Sequence, residues 1–184
     1  TSTAVNFSAK AYQTVPSSHE DNAVLTVLAG FMRNGYLHRA IREQGGAYGA
    51  GATQDANSAS FRFFSYRDPR LSETLEDFDR ALDWVTSAVH AEHQLEEAIL
   101  GVIASMDKPS SPAGEAKQAF YNHLFKRTLD QRKVFRQRVL DTTMEDLHNV
   151  VGKYFSPEAA SIGVITNKES VGSLQALSLK EINM

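Results

Sequence analysis

Leu-His-Arg-Ala-Ile-Arg-Glu-Gln-Gly-Gly-Ala-Tyr-Gly-Ala-Gly-Ala, residues 37–52, decides how this chain is read. Its first half continues an amphipathic run, and its second half is a string of small residues around one aromatic. Gly45 and Gly46 stand between the halves, and glycine accepts the left-handed backbone that ends a helix. The stretch therefore reads as a helix end, a tight junction and a strand of little side-chain bulk. Arg42 closes the helix and Tyr48 opens the strand. A guanidinium with several donors beside a phenolic hydroxyl can grip carbonyl oxygens or a carboxylate.

Outward from this junction, Val24, Leu25, Val27, Leu28, Phe31, Met32, Leu37 and Ile41 recur at helical spacing, predicting one helix over 19–43, about 37 Å long. Ser17 and Glu20 have the spacing of a capping box at its start. Residues 4–14 alternate in two sets, Val5, Phe7, Ala9, Ala11 against Asn6, Ser8, Lys10, Tyr12, as a half-buried strand does. A strand at 47–54, a turn at 55–58 and a strand at 59–66 follow the junction. Phe61 and Phe63 share one face there, with Arg62, Phe64 and Tyr66 on the other. Aromatics on both faces predict a strand covered by its own helices and by a neighbour. Helical patterns then occupy 71–88, 92–106, 113–140 and 143–155, broken at Pro109 and Pro112, before a short apolar strand at 161–166. Thr142 or Thr143 can cap the last helix, with Glu145 and Asp146 in its first turn. Strands at the ends and middle with helices between define the fold class as α+β, an antiparallel sheet with helices packed on one face.

The chain has 184 residues, 42% hydrophobic and 22% charged, the make-up of one globular domain. It has no cysteine, which excludes disulfides and thiolate metal sites. A net charge of −3 gives no bias toward polyanions, and no apolar run approaches a membrane span. The opening Thr-Ser-Thr-Ala-Val lacks the features of a signal peptide and reads as the interior of a longer chain. A soluble protein of the cytoplasm or an organelle matrix is expected rather than a secreted one.

The Arg42-Glu43-Gln44-Gly45-Gly46-Ala47-Tyr48-Gly49 core resembles the C-terminal, non-zinc half of the pitrilysin/insulinase family of zinc metallopeptidases, closest to its presequence peptidase branch. Val5-Asn6-Phe7 with Ala9-Lys10-Ala11 looks like that branch's strand leading into its last domain, and Phe64-Ser65-Tyr66-Arg67-Asp68-Pro69 with Leu71 is similar to its Ser-Tyr-Arg-Asp-Pro segment. Glu97 to Gly101 with Met106-Asp107, and Asp130-Gln131-Arg132 before Arg136 and Arg138, add weaker matches, so the likeness runs from about residue 5 to about 165. It implies that residues 1–184 are a single C-terminal substrate-binding domain of a longer peptidase. That domain closes a chamber around short unstructured peptides, against an N-terminal catalytic half that holds the zinc. It also implies that Arg42 and Tyr48 reach across the chamber to hold the peptide carbonyl. On their own chemistry these two residues are equally an arginine complementing a helix end and a tyrosine packed on a sheet. The alternative within the same resemblance is a domain of a catalytically inactive relative, acting as a partner or structural subunit.

No His-x-x-Glu-His is present. The nearest run, His90-Ala91-Glu92-His93, has its histidines three apart, at or near a break between helices and without an obvious carboxylate ligand, and reads as two solvated histidines. No zinc ligand and no other metal site is expected in this chain, and alone it should be inactive. Gly46, Gly49 and Gly51 do not form a dinucleotide fingerprint, since Gln54 stands at the last position and a strand follows a helix rather than the reverse. They mark a place where another backbone can come close, either a bound peptide or a packed domain. Arg67 is expected to pair with an acidic neighbour in an architectural turn. Lys126, Arg127, Arg132, Lys133, Arg136 and Arg138 form a basic stripe, read as a chamber wall or domain contact and not as a nucleic-acid surface.

Overall fold

The alternation at residues 4–14 forms β1 (Asn6–Gln13), which lies inside the sheet rather than at its edge. The computed structural model describes residues 4–125, 127–168, 170–172, 174, 179–180 and 182. Within them, β2 (Gly49–Asp55), β3 (Ser60–Asp68), β1 and β4 (Ser161–Ile165) make one sheet in that order, every pairing antiparallel. Helices α1 (Asp21–Met32), α2 (Ser72–Ser87), α3 (Glu92–Asp107), α4 (Pro112–Leu124), α5 (Leu129–Leu140) and α6 (Met144–Tyr154) connect and cover it. The fold is α+β with the helices on one face, and the buried apolar residues form one contiguous core.

The core face is set by period two in the strands. Phe61 and Phe63 of β3 are fully buried, and Phe63 stacks on Phe78 of α2 with ring centroids 5.4 Å apart. Tyr12 and Phe61 both meet the edge or face of Phe155 at 4.9 Å. In β1 it is the polar set that points inward: Asn6, Ser8, Lys10 and Tyr12 are buried, while Phe7 and Ala9 are exposed. Burying amides and ammonium groups requires partners. Asn6 Nδ2 donates to the carbonyls of Asp68 and Arg70, both at 3.1 Å, and Lys10 Nζ lies 2.6 Å from Asp79 Oδ1.

The predicted single helix over 19–43 is two kinds of helix. The α-helical part ends at Met32, and Arg33–Gln44 continues as a π-helix. Such wide turns are rare and usually short. Gly35 lies within it because Trp84 of α2 presses there: a Cβ at 35 would stand 2.3 Å from Trp84 Cη2. The Ser17–Glu20 capping box does not form. Residues 16–19 make an extra turn, His19 N–H to the Pro16 carbonyl, and the His19 ring nitrogen takes the Asp21 N–H instead. The predicted helix over 113–140 is also two, because Thr128 and Gln131 form a reciprocal capping box that starts α5 afresh. Thr143 caps α6 in the same way with Asp146.

The helices of this chain cover one face of the sheet, and the other carries partly exposed side chains. Cross-strand register aligns Gly49, Tyr66, Phe7 and Ile165 in one row and Gly51, Phe64, Ala9 and Gly163 in the next. Phe7, Tyr66 and Ile165 are each more than a third exposed.

Candidate functional site

Two chain features converge where the π-helix meets β2. Gly45 closes the helix in right-handed conformation, and Gly46, at φ +80°, makes the turn that only glycine adopts freely. Gly45 is glycine for a different reason: a Cβ there would lie 2.0 Å from Arg70 Nη2. That guanidinium donates to the Ala40 carbonyl and pairs with buried Asp77 at 3.0 Å, tying α2 to the π-helix. The junction is thereby held from below. Gly46 N–H donates to the Arg42 carbonyl and Ala47 N–H to that of Ile41. Ala47 is buried, so Arg42 and Tyr48, on either side, are turned outward.

The structure brings Arg42 and Tyr48 to this one junction, both exposed. Tyr48 is 64% exposed. Its N–H donates to the Arg67 carbonyl, extending the β2–β3 ladder by one rung. Its ring lies 5.7 Å from Tyr66 and 5.5 Å from the Arg67 guanidinium, within cation–π range. Arg42 Nη1 is 3.1 Å from His38 Nε2. Gly49 and Gly51 are approached by side chains of this chain: Tyr66 lies over Gly49, and Phe64 with Arg33 over Gly51.

Sequence reasoning missed Tyr66, Arg67 and His38 as members of this cluster. Arg67 was expected to pair with an acidic neighbour; Arg70 does that, and Arg67 instead faces Tyr48. A β-bulge is the cause. Asn6 pairs with Asp68 but Phe7 with Tyr66, leaving Arg67 as the extra residue, at φ +50°. The bulge lets Asp68 turn inward to accept from Thr74 Oγ1 at 2.8 Å, while Tyr66 and Arg67 are both exposed. The available signal was the aromatic alternation of β3 colliding with the Asp-Pro turn.

The histidine run does not fit zinc. His90, far from being solvated, packs against Trp84 and Phe31, and its Nε2 lies 3.0 and 3.2 Å from the Trp84 and Val85 carbonyls. Among the described residues no cluster of three or more His, Asp or Glu is placed to hold a metal ion. The basic stripe is engaged within the chain. Arg136 grips both oxygens of Asp107 at 2.8 Å, Arg132 donates to the Met106 carbonyl, and Arg127 reaches Asn57. Lys126 lies outside the described residues. A cleft of about 1060 Å³ between α1, α3, α4 and α5 is bordered by neither Arg42 nor Tyr48.

The α+β layer, the glycine-rich helix–strand junction and the exposed arginine and tyrosine beside it are the features to set against known proteins. Residues 1–165 match the family described as PreP C-terminal domain, and the chain belongs to it. It is 34% identical over 162 residues to the mitochondrial presequence protease of Kluyveromyces lactis, covering 88% of this chain. The chain spans only 16% of that relative's length. Its fold is similar to a protease from Helicobacter pylori (TM-score 0.73, 17% identity, 90% of this chain and 42% of that one). It is also similar to pitrilysin (TM-score 0.62, 14% identity, 86% of this chain and 18% of that one).

Proposed function

We propose that this chain is the C-terminal substrate-binding and chamber-closing domain of a zinc metalloendopeptidase acting on short unstructured peptides. The zinc and its ligands belong to an N-terminal catalytic half outside this chain. Residues 1–184 act as one domain of that longer protein, inactive alone. The mitochondrial presequence proteases it is similar to support an organelle-matrix location, and no helix among the described residues is long and apolar enough to cross a membrane.

The observation that carries this reading is the outward projection of Arg42 and Tyr48 from a junction braced by Arg70 and Asp77. Donors held rigidly need no reorganisation as charge builds on a peptide carbonyl, so they act most strongly in the transition state. Arg42 supplies a fork of N–H groups for carbonyl or carboxylate oxygens, and Tyr48 one O–H.

The test is steady-state kinetics of Tyr48→Phe and Arg42→Ala in the full-length peptidase. Tyr48→Phe should lower kcat, on the scale of about 10²-fold for one oxyanion donor. Arg42→Ala should impair both KM and kcat. Full activity of Tyr48→Phe at normal zinc content would return the tyrosine to a packing role and remove the reading.

A further inference from the structure

His38 stands between two charged side chains of its own helix. Its Nε2 lies 3.1 Å from Arg42 Nη1, and its Nδ1 lies 3.3 Å from Glu43 Oε1. A guanidinium has donors only, so Nε2 accepts in this contact. In the tautomer that lets Nε2 accept, Nδ1 carries the N–H that faces the Glu43 carboxylate. The two contacts fix the imidazole's tautomer and orientation together.

The helix type makes this possible. In an α-helix the residue four ahead shares a face, but the residue five ahead lies about 140° further around. A π-helix closes its hydrogen bonds five residues apart, so both positions come over the same side chain. Arg33–Gln44 is π-helical, which is why Arg42 and Glu43 both reach His38. All three side chains are substantially exposed, and exposed ion pairs contribute little to stability. The arrangement matters for where Arg42 points. An arginine side chain has many rotamers, and an acceptor locked in place selects one of them.

We infer that His38 is a positioning residue for Arg42, oriented by Glu43, and that the π-helix exists at this point to join the three. This rests on the substrate-binding reading of Arg42. His38 touches no reacting atom; it sets the direction of the guanidinium that does.

The experiment is a set of four variants of the full-length peptidase, assayed on an unstructured peptide with thermal unfolding as control. His38→Leu removes the acceptor and should lower kcat/KM about tenfold, with an unchanged unfolding temperature. His38→Gln should recover most of this, because its amide oxygen accepts from Arg42 while its amide N–H faces Glu43. In an Arg42→Ala background, His38→Leu should add no further loss. Full activity of His38→Leu beside an impaired Arg42→Ala overturns the positioning role and leaves the reading of Arg42 standing. A loss that persists undiminished in the Arg42→Ala background also overturns it. A fully active Arg42→Ala enzyme overturns the substrate-binding reading, and this inference with it.

Discussion

Tyr66 lies directly over Gly49: a Cβ on that glycine would stand 2.4 Å from the Cε1, Cζ and Oη atoms of the ring. The two residues are register partners across β2 and β3, and the same ring is the nearest aromatic neighbour of Tyr48. Gly49→Ala therefore forces Tyr66 aside. Tyr66 is partly exposed and can swing outward, so stability should change by no more than about 0.5 kcal/mol. The rim that positions Tyr48 is disturbed, and activity of the parent enzyme should fall. An active Gly49→Ala enzyme with unaltered stability would show that Tyr66 does not support Tyr48.

The same substitution in the helix should behave differently. At Gly35 the obstructing group is the half-buried Trp84 indole, held against Phe31 at 5.1 Å and His90 at 4.4 Å, which resists displacement more than Tyr66 does. Gly35→Ala should destabilise by about 1–3 kcal/mol through overpacking, despite the better helix propensity of alanine. Denaturant melts of the two alanine variants, compared side by side, distinguish a yielding neighbour from a fixed one. Equal effects would contradict the packing described for Trp84.

Lys10 and Asp79 are an unequal ion pair, with side chains 8% and 51% exposed. Removing the outer partner leaves a buried ammonium without its counter-charge; removing the inner one leaves a carboxylate that water already reaches. Asp79→Ala should cost about 1–3 kcal/mol. Lys10→Met, which keeps the volume, should be close to neutral. Thermal unfolding that ranks Lys10→Met as the more damaging change would refute this asymmetry.

Asp21 opens α1 and receives Lys153 Nζ at 2.7 Å and the Tyr154 hydroxyl at 2.5 Å, closing α6 onto the start of α1. Partial burial by itself raises the carboxyl's pKa, but those hydrogen bonds and the Lys153 and His19 charges outweigh it and hold it below its ordinary 3.8. A depressed folded-state value stabilises at pH above the unfolded value, and that stability disappears as pH falls through the folded one. Asp21→Asn should thus melt lower than the parent at pH 7, with the gap closing below about pH 4. A gap that stays constant into acid would disconnect this carboxylate from acid unfolding.

The helix end at Gly45-Gly46, the hairpin that follows it and the two aromatic faces of β3 were legible because each depends on local rules: glycine at a left-handed turn and period two in a strand. The family was legible for the same reason, since the Arg42-to-Gly49 run is contiguous. The chain junctions at 16–20 and 125–128 were not, because caps compete. His19 displaced Ser17 at α1, and Thr128 started a helix where apolar spacing alone would have continued one.

What the sequence determined by itself is therefore the strands, the fold class and the family, all of which follow from neighbours along the chain. What only the tertiary structure decided is which face of each element is used. The polar side of β1 turned inward because Asp79 and the Asp68 and Arg70 carbonyls, more than 60 residues away, satisfy Lys10 and Asn6. The bulge that swings Arg67 to Tyr48 exists because buried Asp68 is claimed by Thr74 of α2. Glu43 joined Arg42 at His38 because the helix widened into a π-helix, a change of pitch that no residue spacing in 33–44 announces. Partners distant in sequence choose among the faces that local rules leave equivalent, and only the folded chain brings those partners together.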